Sequence, residues 1–246
     1  MPVDRSHWKS ELTHARWPCP SCRHGELRLE RNTLHYGETL ASRRSHSDEG
    51  FHITDMEFAF SALLKCASCG EIVGCSGTGG MEEDQLFDSD GDLHSDLNEV
   101  FYVKFFSKAL PIIRPPSRCP TKIKQSLTRS FHVAFCDVGA AANHVRQCVE
   151  ELLTAQGIDR HTNTGGFLQL EKRIQRFAQK DAENAERASA LRWIGHFGSH
   201  PENLKRDDLF DAYDILEVLL EDIYVGHQRS VRATVDRINK NKRPGP

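Results

Sequence analysis

The chain has 246 residues and a formal charge of −3, with 38% hydrophobic and 27% charged residues. That length allows one large domain or two small ones, each with a real core. The charge gives no whole-protein basic field for gripping nucleic acid, so any basic contact surface has to be local. No apolar run approaches the roughly 18 residues of a membrane span, and Met1 to Trp17 lacks the apolar centre of a secretory signal. A cytoplasmic protein with no membrane partner is expected.

Eight cysteines would suit four disulfides in a secreted chain, but their spacing argues otherwise. Four fall in two knuckles, Cys19-Pro20-Ser21-Cys22 and Cys66-Ala67-Ser68-Cys69. Zinc takes four soft ligands in a tetrahedron, and each Cys-x-x-Cys turn offers two thiolates from a tight loop. Gly25 and Gly70 follow the knuckles, as suits a chain turning into a strand. A thioredoxin-type redox site would need a βαβ context, which is absent. Four Cys ligands leave no open position for water, so the zinc expected at Cys19, Cys22, Cys66 and Cys69 is structural. His24 and Cys75 lie nearby as bystanders.

In chain order, residues 1–80 read as a small β zinc ribbon. Leu27 to Glu30 and Met56 to Phe60 alternate like half-buried strands, Ala41 to Gly50 reads as a polar loop, and Gly77-Thr78-Gly79-Gly80 as a flexible boundary. Residues 81–114 read as an acidic linker and lead-in. Glu82, Glu83, Asp84, Asp88, Asp90, Asp92, Asp96 and Glu99 occur there with no Lys or Arg up to residue 99. Asp88, Asp90, Asp92, Asp96 and Glu99 fit a calcium-loop spacing, but Leu93 stands where that loop needs glycine. A plain solvated connector is the favoured reading over calcium binding.

From Pro115 the pattern turns helical. Thr121 to Cys136 is a first helix. The second is capped by Asp137 and stopped by Gly157, with Val138, Ala141, Ala142, Val145, Val149, Leu152 and Leu153 on one face. A third spans Phe167 to Gln179 and a fourth Ala182 to Ile194. A fifth begins at Asp207 and Asp208, with Leu209, Tyr213, Leu216, Leu219, Leu220 and Ile223 inward. Cys136 and Cys148 read as small core residues. Residues 115–226 thus form an all-α bundle, and residues 227–246 a basic tail. The fold class is α+β.

The segment Arg192-Trp193-Ile194-Gly195-His196-Phe197-Gly198-Ser199-His200 crowds a cation, two imidazoles and a hydroxyl at a helix end. Histidine can move a proton near neutrality and arginine can hold a phosphate, the minimum for metal-independent RNA cleavage. On the residues alone, helix capping and packing is the favoured reading. Arg146 and Glu150 stand one turn apart, either as a surface ion pair or facing the polar centre of the bundle.

Residues from about Pro115 to Tyr224 resemble the helical domain of unknown function 4145. The resemblance is carried by Ala140-Ala141-Ala142-Asn143-His144-Val145-Arg146 with Glu150, Leu170 with Arg173-Ile174, Arg192, Gly195, Ser199-His200 and the helix from Asp211 to Tyr224. That family often accompanies a zinc ribbon or restriction-enzyme subunits and is grouped with the HEPN superfamily, whose helical bundles dimerise and in many members cleave RNA. The resemblance implies catalytic roles for Arg192 and His200, with His196 standing where the family usually has Asn. Arg146, Glu150, Asn143 and Ser199 would give polar support. It also implies a homodimer in a bacterial defence or restriction setting, with RNA or other nucleic acid, or a defence partner protein, as its target. The alternative is a non-catalytic dimerisation or docking module with a structural zinc.

Overall fold

The computed structural model describes residue 12 and residues 16–22, 24–87, 93–162, 164–198 and 204–242; at 85–87, 93–94 and 227–229 it describes the backbone alone. These residues divide into two compact units, with the boundary after Pro111. The class is α+β, as the sequence predicts.

The first unit is a six-stranded antiparallel sheet. Its strands are β1 (Trp17–Pro18), β2 (Glu26–Leu29), β3 (His35–Glu38), β4 (Glu57–Cys66), β5 (Ile72–Phe87) and β6 (Leu93–Phe106). The order is β1-β2-β4-β5-β6, with β3 also paired to β4. A short helix α1 (Leu40–Ser45) stands where a polar loop is expected. Thr39 makes it possible by accepting a hydrogen bond from the Ser42 amide at 3.2 Å. β4 alternates buried and exposed residue by residue, placing Phe58, Phe60, Ala62, Leu64 and Cys66 inward.

Two expectations for this unit are corrected. Gly77 to Gly80 form no flexible boundary but the middle of β5. A Cβ on Gly77 would lie 2.1 Å from the Tyr102 carbonyl oxygen and 2.9 Å from the Phe60 ring, and one on Gly79 would lie 2.5 Å from the Val100 carbonyl oxygen. The glycines therefore admit close backbone approach and overlying rings, which a turn-residue reading does not register. The acidic stretch is no linker either. Glu82 to Phe87 and Leu93 to Glu99 pair in register as the outer part of the β5–β6 hairpin. Backbone pairing to a neighbouring strand decides this, and charge composition is silent about it. The calcium template falls partly outside the described residues, at Asp88, Asp90 and Asp92.

The second unit is helical: α2 (Thr121–Val133), α3 (Val138–Ala155), α4 (Leu170–Ala178), α5 (Ala182–Phe197), α6 (Arg206–Tyr224) and α7 (His227–Asn241). Asp137 caps α3 by accepting from the Ala140 amide at 2.8 Å, and Gly157, at φ 75°, ends it. α3 is the spine. Ala141, Ala142, Val145, Cys148, Val149, Leu152 and Leu153 are fully buried against α2, α5 and α6. From α6, Leu209, Tyr213, Leu216, Leu219 and Leu220 are equally buried. Fully burying such a side chain contributes roughly 1.5–3 kcal/mol each, which is why this face fixes the bundle.

Three details depart from the sequence reading. α5 runs through Gly195 to Phe197 and does not stop at Ile194. Cys136 is exposed rather than core, because it follows the end of α2 in a turn. The basic tail is helix α7, whose residues 230–242 are exposed along their whole length. Among the described residues, no helix is long and apolar enough to cross a membrane.

Candidate functional site

The two cysteine knuckles come together because their turns end neighbouring strands. Cys19 and Cys22 lie between β1 and β2, and Cys66 ends β4. β2 and β4 pair with Leu27 opposite Cys66. The Cys19 amide donates to the Gly25 carbonyl at 2.9 Å, and the Gly70 amide to the Cys66 carbonyl at 3.0 Å, closing both turns. The Ser21 amide points at Cys19 Sγ (3.4 Å) and the Gly25 amide at Cys22 Sγ (3.3 Å). The four sulfurs lie within 4.8 Å of one another, and Cys19–Cys69 and Cys22–Cys66 are each 3.7 Å apart. This cluster can hold a metal ion.

Its local chemistry suits that role. Amides of His24 and Gly25 lower the Cys22 thiol to about 6, and the Cys69 amide lowers that of Cys66. The Glu71 amide also acts to lower Cys69, but burial and the three neighbouring thiols outweigh it and push that thiol up to about 12. Four thiolates cannot gather here without a cation. Gly25 is the structural requirement: a Cβ there would lie 2.5 Å from Cys66 Sγ and 2.7 Å from Ser68 Oγ. Gly70 adopts φ 76°, the left-handed region glycine favours. Beside the cluster, Glu71 accepts from Ser21 Oγ and pairs with Lys108 at 2.9 Å. Cys75 is buried in β5 and its thiol is pushed up to about 12, so it stays apart as a core residue.

In the helical unit, α3 and α5 cross at backbone contact. Gly195 lies on Arg146, where a Cβ would come 2.6 Å from Arg146 Cβ, and a Cβ on Gly139 would come 2.5 Å from the Gly198 carbonyl oxygen. This crossing sets Arg146 beside the end of α5 that carries Arg192 and His196. Arg146 pairs with Glu150 at 3.4 Å while remaining 43% exposed, so the ion pair is real and also borders this helix end. Arg192 is mostly covered. It pairs with Glu171 at 3.7 Å and stacks on Trp193, with Cζ 4.2 Å from the ring centroid. Its Nε is buried without a hydrogen-bond partner among the described residues. His196, one turn after Arg192, is exposed between the rings of Trp193 and Phe197, which are themselves exposed. Asn143 on α3 is half-buried. Ser199 and His200 lie outside the described residues.

Sequence reading missed two buried polar groups. Arg173, 2% exposed, donates through Nη2 to the Glu150 carbonyl (3.1 Å), Thr154 Oγ1 (2.8 Å) and the Ile158 carbonyl (2.8 Å). It thereby satisfies the carbonyl end of α3. Asn184, fully buried, donates to Asp181 (2.8 Å) and Asp222 (2.7 Å), and Arg187 donates back to its Oδ1 (2.6 Å). The spacing Asp181, Asn184, Arg187 was a legible signal, a polar helical face that required a partner.

The comparisons divide the chain in the same way. Residues 128–241 match the model of a domain of unknown function (DUF4145). Residues 8–106 match that of another domain of unknown function (DUF8608). No curated protein and no solved structure matches the chain. The DUF4145 match agrees with the resemblance in the helical part and extends through α7.

Proposed function

We propose that the protein is a zinc-stapled, nucleic-acid-directed HEPN-like protein and a metal-independent endoribonuclease, working as a homodimer in a bacterial defence or restriction setting. The observation that supports this reading is the close α3–α5 crossing, which sets Arg146 against Gly195, between Arg192 and His196 in the sequence of α5. In the reaction, the imidazole of His200 takes the 2′-hydroxyl proton, with His196 as a second acid–base group, and the 2′-oxygen attacks the phosphorus. The 5′-oxygen leaves, taking up a proton, and the products are a 2′,3′-cyclic phosphate and a 5′-hydroxyl. Arg192 offsets the phosphate charge that builds in the transition state. Polar support is assigned to Arg146, which pairs with Glu150 at 3.4 Å, and to Asn143 on the same helix; Ser199, the fourth member of that set, lies outside the described residues.

Zinc is the ion assigned to the four cysteines. A tetrahedron with Zn–S bonds of about 2.3 Å has sulfur–sulfur edges of about 3.8 Å; Cys19–Cys69 and Cys22–Cys66 stand at 3.7 Å, and all four sulfurs lie within 4.8 Å of one another. A closed set of four thiolates makes it a staple for a unit with a small core. Arg28, Arg31, Arg43 and Arg44 are exposed on this unit and supply a local basic surface for nucleic acid; Arg23 lies outside the described residues.

The second reading, a non-catalytic docking module, is favoured by exposed Trp193 and by exposed Phe197, which with Ile194, Leu204, Asp208 and Asp211 lines a cavity of about 260 Å³. Incubation of purified protein with RNA in a metal chelator mild enough to leave zinc bound separates the two. Cleavage supports the enzyme, and intact RNA together with capture of a folded partner protein supports the module.

A further inference from the structure

Strand β6 carries one irregularity. Buried and exposed residues alternate along it from Phe101 to Lys104, and continuing that alternation would bury Phe105. Instead the pairing shifts between Ser76 and Gly77. Val103 stands opposite Gly77 and Phe105 opposite Ser76, which leaves Lys104 as the extra residue. A bulge of this kind interrupts the ladder and re-aims side chains. Here it sends Phe106 into the core, 5.3 Å from the Trp17 ring, and turns Phe105 outward beside exposed Lys104. Phe105 is 49% exposed. The ladder is broken to hold a ring in water next to a cation.

Register lays out what surrounds that ring, because residues directly opposite one another share a face of the sheet. Ser76 and Ser61 continue the Phe105 row across β5 and β4. The next row holds Tyr102, Thr78 and Ala59, with Tyr102 39% exposed and its hydroxyl donating to Glu82. Towards the cysteine cluster lie Leu63 and then Lys65 opposite Ile72, with Arg28 on the other side of Lys65. Leu63 and Ile72 are 41% and 43% exposed. From Lys65 to Ala59 the face runs about 20 Å along β4, and from β4 to β6 about 10 Å. Within it these three strands carry two lysines and no carboxylate. Carboxylates stand on its margins, at Glu26 and Glu30 on the β2 side and at Glu57 and Glu82 beyond the Tyr102 row.

We propose that this open face of the sheet binds single-stranded RNA, with bases stacked on Phe105 and Tyr102 and phosphates drawn to Lys65, Lys104 and Arg28. Chemistry selects this occupant. Ring faces stack with any base, lysines meet phosphate, and the hydroxyls of Ser61, Ser76 and Thr78 can donate to phosphate or sugar oxygens. An apolar protein surface would leave the lysines and hydroxyls unmatched, and a duplex keeps its base faces within its own stack. The proposal rests on the nucleic-acid part of the reading above, to which it gives a binding surface on the first unit, and requires no cleavage.

Fluorescence anisotropy of the full zinc-loaded chain with a labelled oligouridine about ten nucleotides long tests this. The probe carries 2′-O-methyl groups, which block attack by the 2′-oxygen, so binding is read whether or not the protein cleaves RNA. Wild type is expected to bind it more tightly than a duplex of the same length. Phe105→Ala is expected to weaken binding about tenfold, Phe105→Tyr to retain it, and Phe105→Leu to weaken it as alanine does, because an aliphatic side chain does not stack. Lys65→Ala/Lys104→Ala is expected to reduce the slope of log affinity against log salt by about 1.4, whereas Phe105→Ala leaves that slope unchanged. These positions are exposed, and zinc content and circular dichroism verify that each variant is folded. A wild type that does not bind the probe at tens of micromolar, or that prefers the duplex, overturns the proposal. So does binding that Phe105→Ala and Lys65→Ala/Lys104→Ala leave unchanged, and so does binding that Phe105→Leu retains, the result expected of an apolar docking face. Cleavage of unmodified RNA without this binding removes the proposal and leaves the nuclease reading standing; probe binding without cleavage does the reverse.

Discussion

Replacing glycine by alanine inside a helix normally stabilises it by about 1 kcal/mol, because the unfolded chain loses freedom. At Gly139 and Gly195 the opposite is expected. An alanine Cβ at Gly195 would sit 2.6 Å from Arg146 Cβ and 3.3 Å from the Ala142 carbonyl oxygen; at Gly139 it would sit 2.5 Å from the Gly198 carbonyl oxygen. Those obstacles are backbone or the root of a side chain, so they cannot swing away, and overpacking of this kind costs about 1–3 kcal/mol. Against the propensity gain, the net is a loss of up to about 2 kcal/mol. Gly139→Ala should be the worse of the two, because its obstacle is a main-chain carbonyl. Gly37→Ala, whose Cβ meets nothing within 4 Å, serves as the neutral control. Urea unfolding followed by far-UV circular dichroism measures all three. A gain of about 1 kcal/mol in Gly139→Ala and Gly195→Ala, the bare helix-propensity result, would refute the close α3–α5 crossing and with it the placement of Arg146.

At the metal cluster, Gly25→Ala should cut zinc binding sharply while leaving all four cysteines in place, since its Cβ would meet Cys66 Sγ at 2.5 Å. Zinc content per chain after dialysis reads this directly, and a full complement would contradict it. In the bundle core, Ser130 Oγ has one proton and gives it to the Ala141 carbonyl at 2.8 Å, so Tyr213 must donate to Ser130 at 2.7 Å. Tyr213→Phe should therefore cost about 0.5–1.5 kcal/mol, whereas Ser130→Ala strands a buried hydroxyl and should cost about 1–3 kcal/mol; equal costs in denaturant would dispute the donor assignment. Burial raises the pKa of Glu217 against the pull of the Arg114 amide. The fold therefore disfavours its carboxylate, and stability should fall as pH rises from the ordinary value of about 4.5 through the raised one. Glu217→Gln should flatten that part of the stability–pH curve, and an unchanged slope would show that Glu217 does not set it.

The helical unit was largely legible because a 3.6-residue apolar period survives in the sequence of α3 and α6, and Asp137 and Gly157 mark the ends of α3 by capping chemistry. The metal cluster was legible because ligand spacing is local to each knuckle. What brings the knuckles together, the pairing of β2 with β4, is a long-range fact no spacing encodes. The acidic stretch was misread for the same reason. Its residues look solvated, and those at 82–84 and 95–99 are exposed, but backbone pairing gives the outer hairpin structure regardless of side-chain polarity. Gly77 and Gly79 misled in another way, since glycine marks either a turn or a close approach, and only the neighbouring strand and rings decide which. α7 was hidden by its charges, although Val231, Val235 and Ile238 carry the helical period. At the Arg–His segment the residues were visible, but the glycine-mediated contact with Arg146 was not.

End-group analysis of RNA incubated with the purified protein in the absence of added divalent metal tests the central claim most directly. Wild type is expected to release fragments with 2′,3′-cyclic phosphate and 5′-hydroxyl ends, and Arg192→Ala and His200→Ala, still folded by circular dichroism, are expected to release none. His196→Ala then shows whether the second imidazole shares the proton transfer. Intact RNA with wild type, or the same ends in equal yield from Arg192→Ala and His200→Ala, would contradict the account.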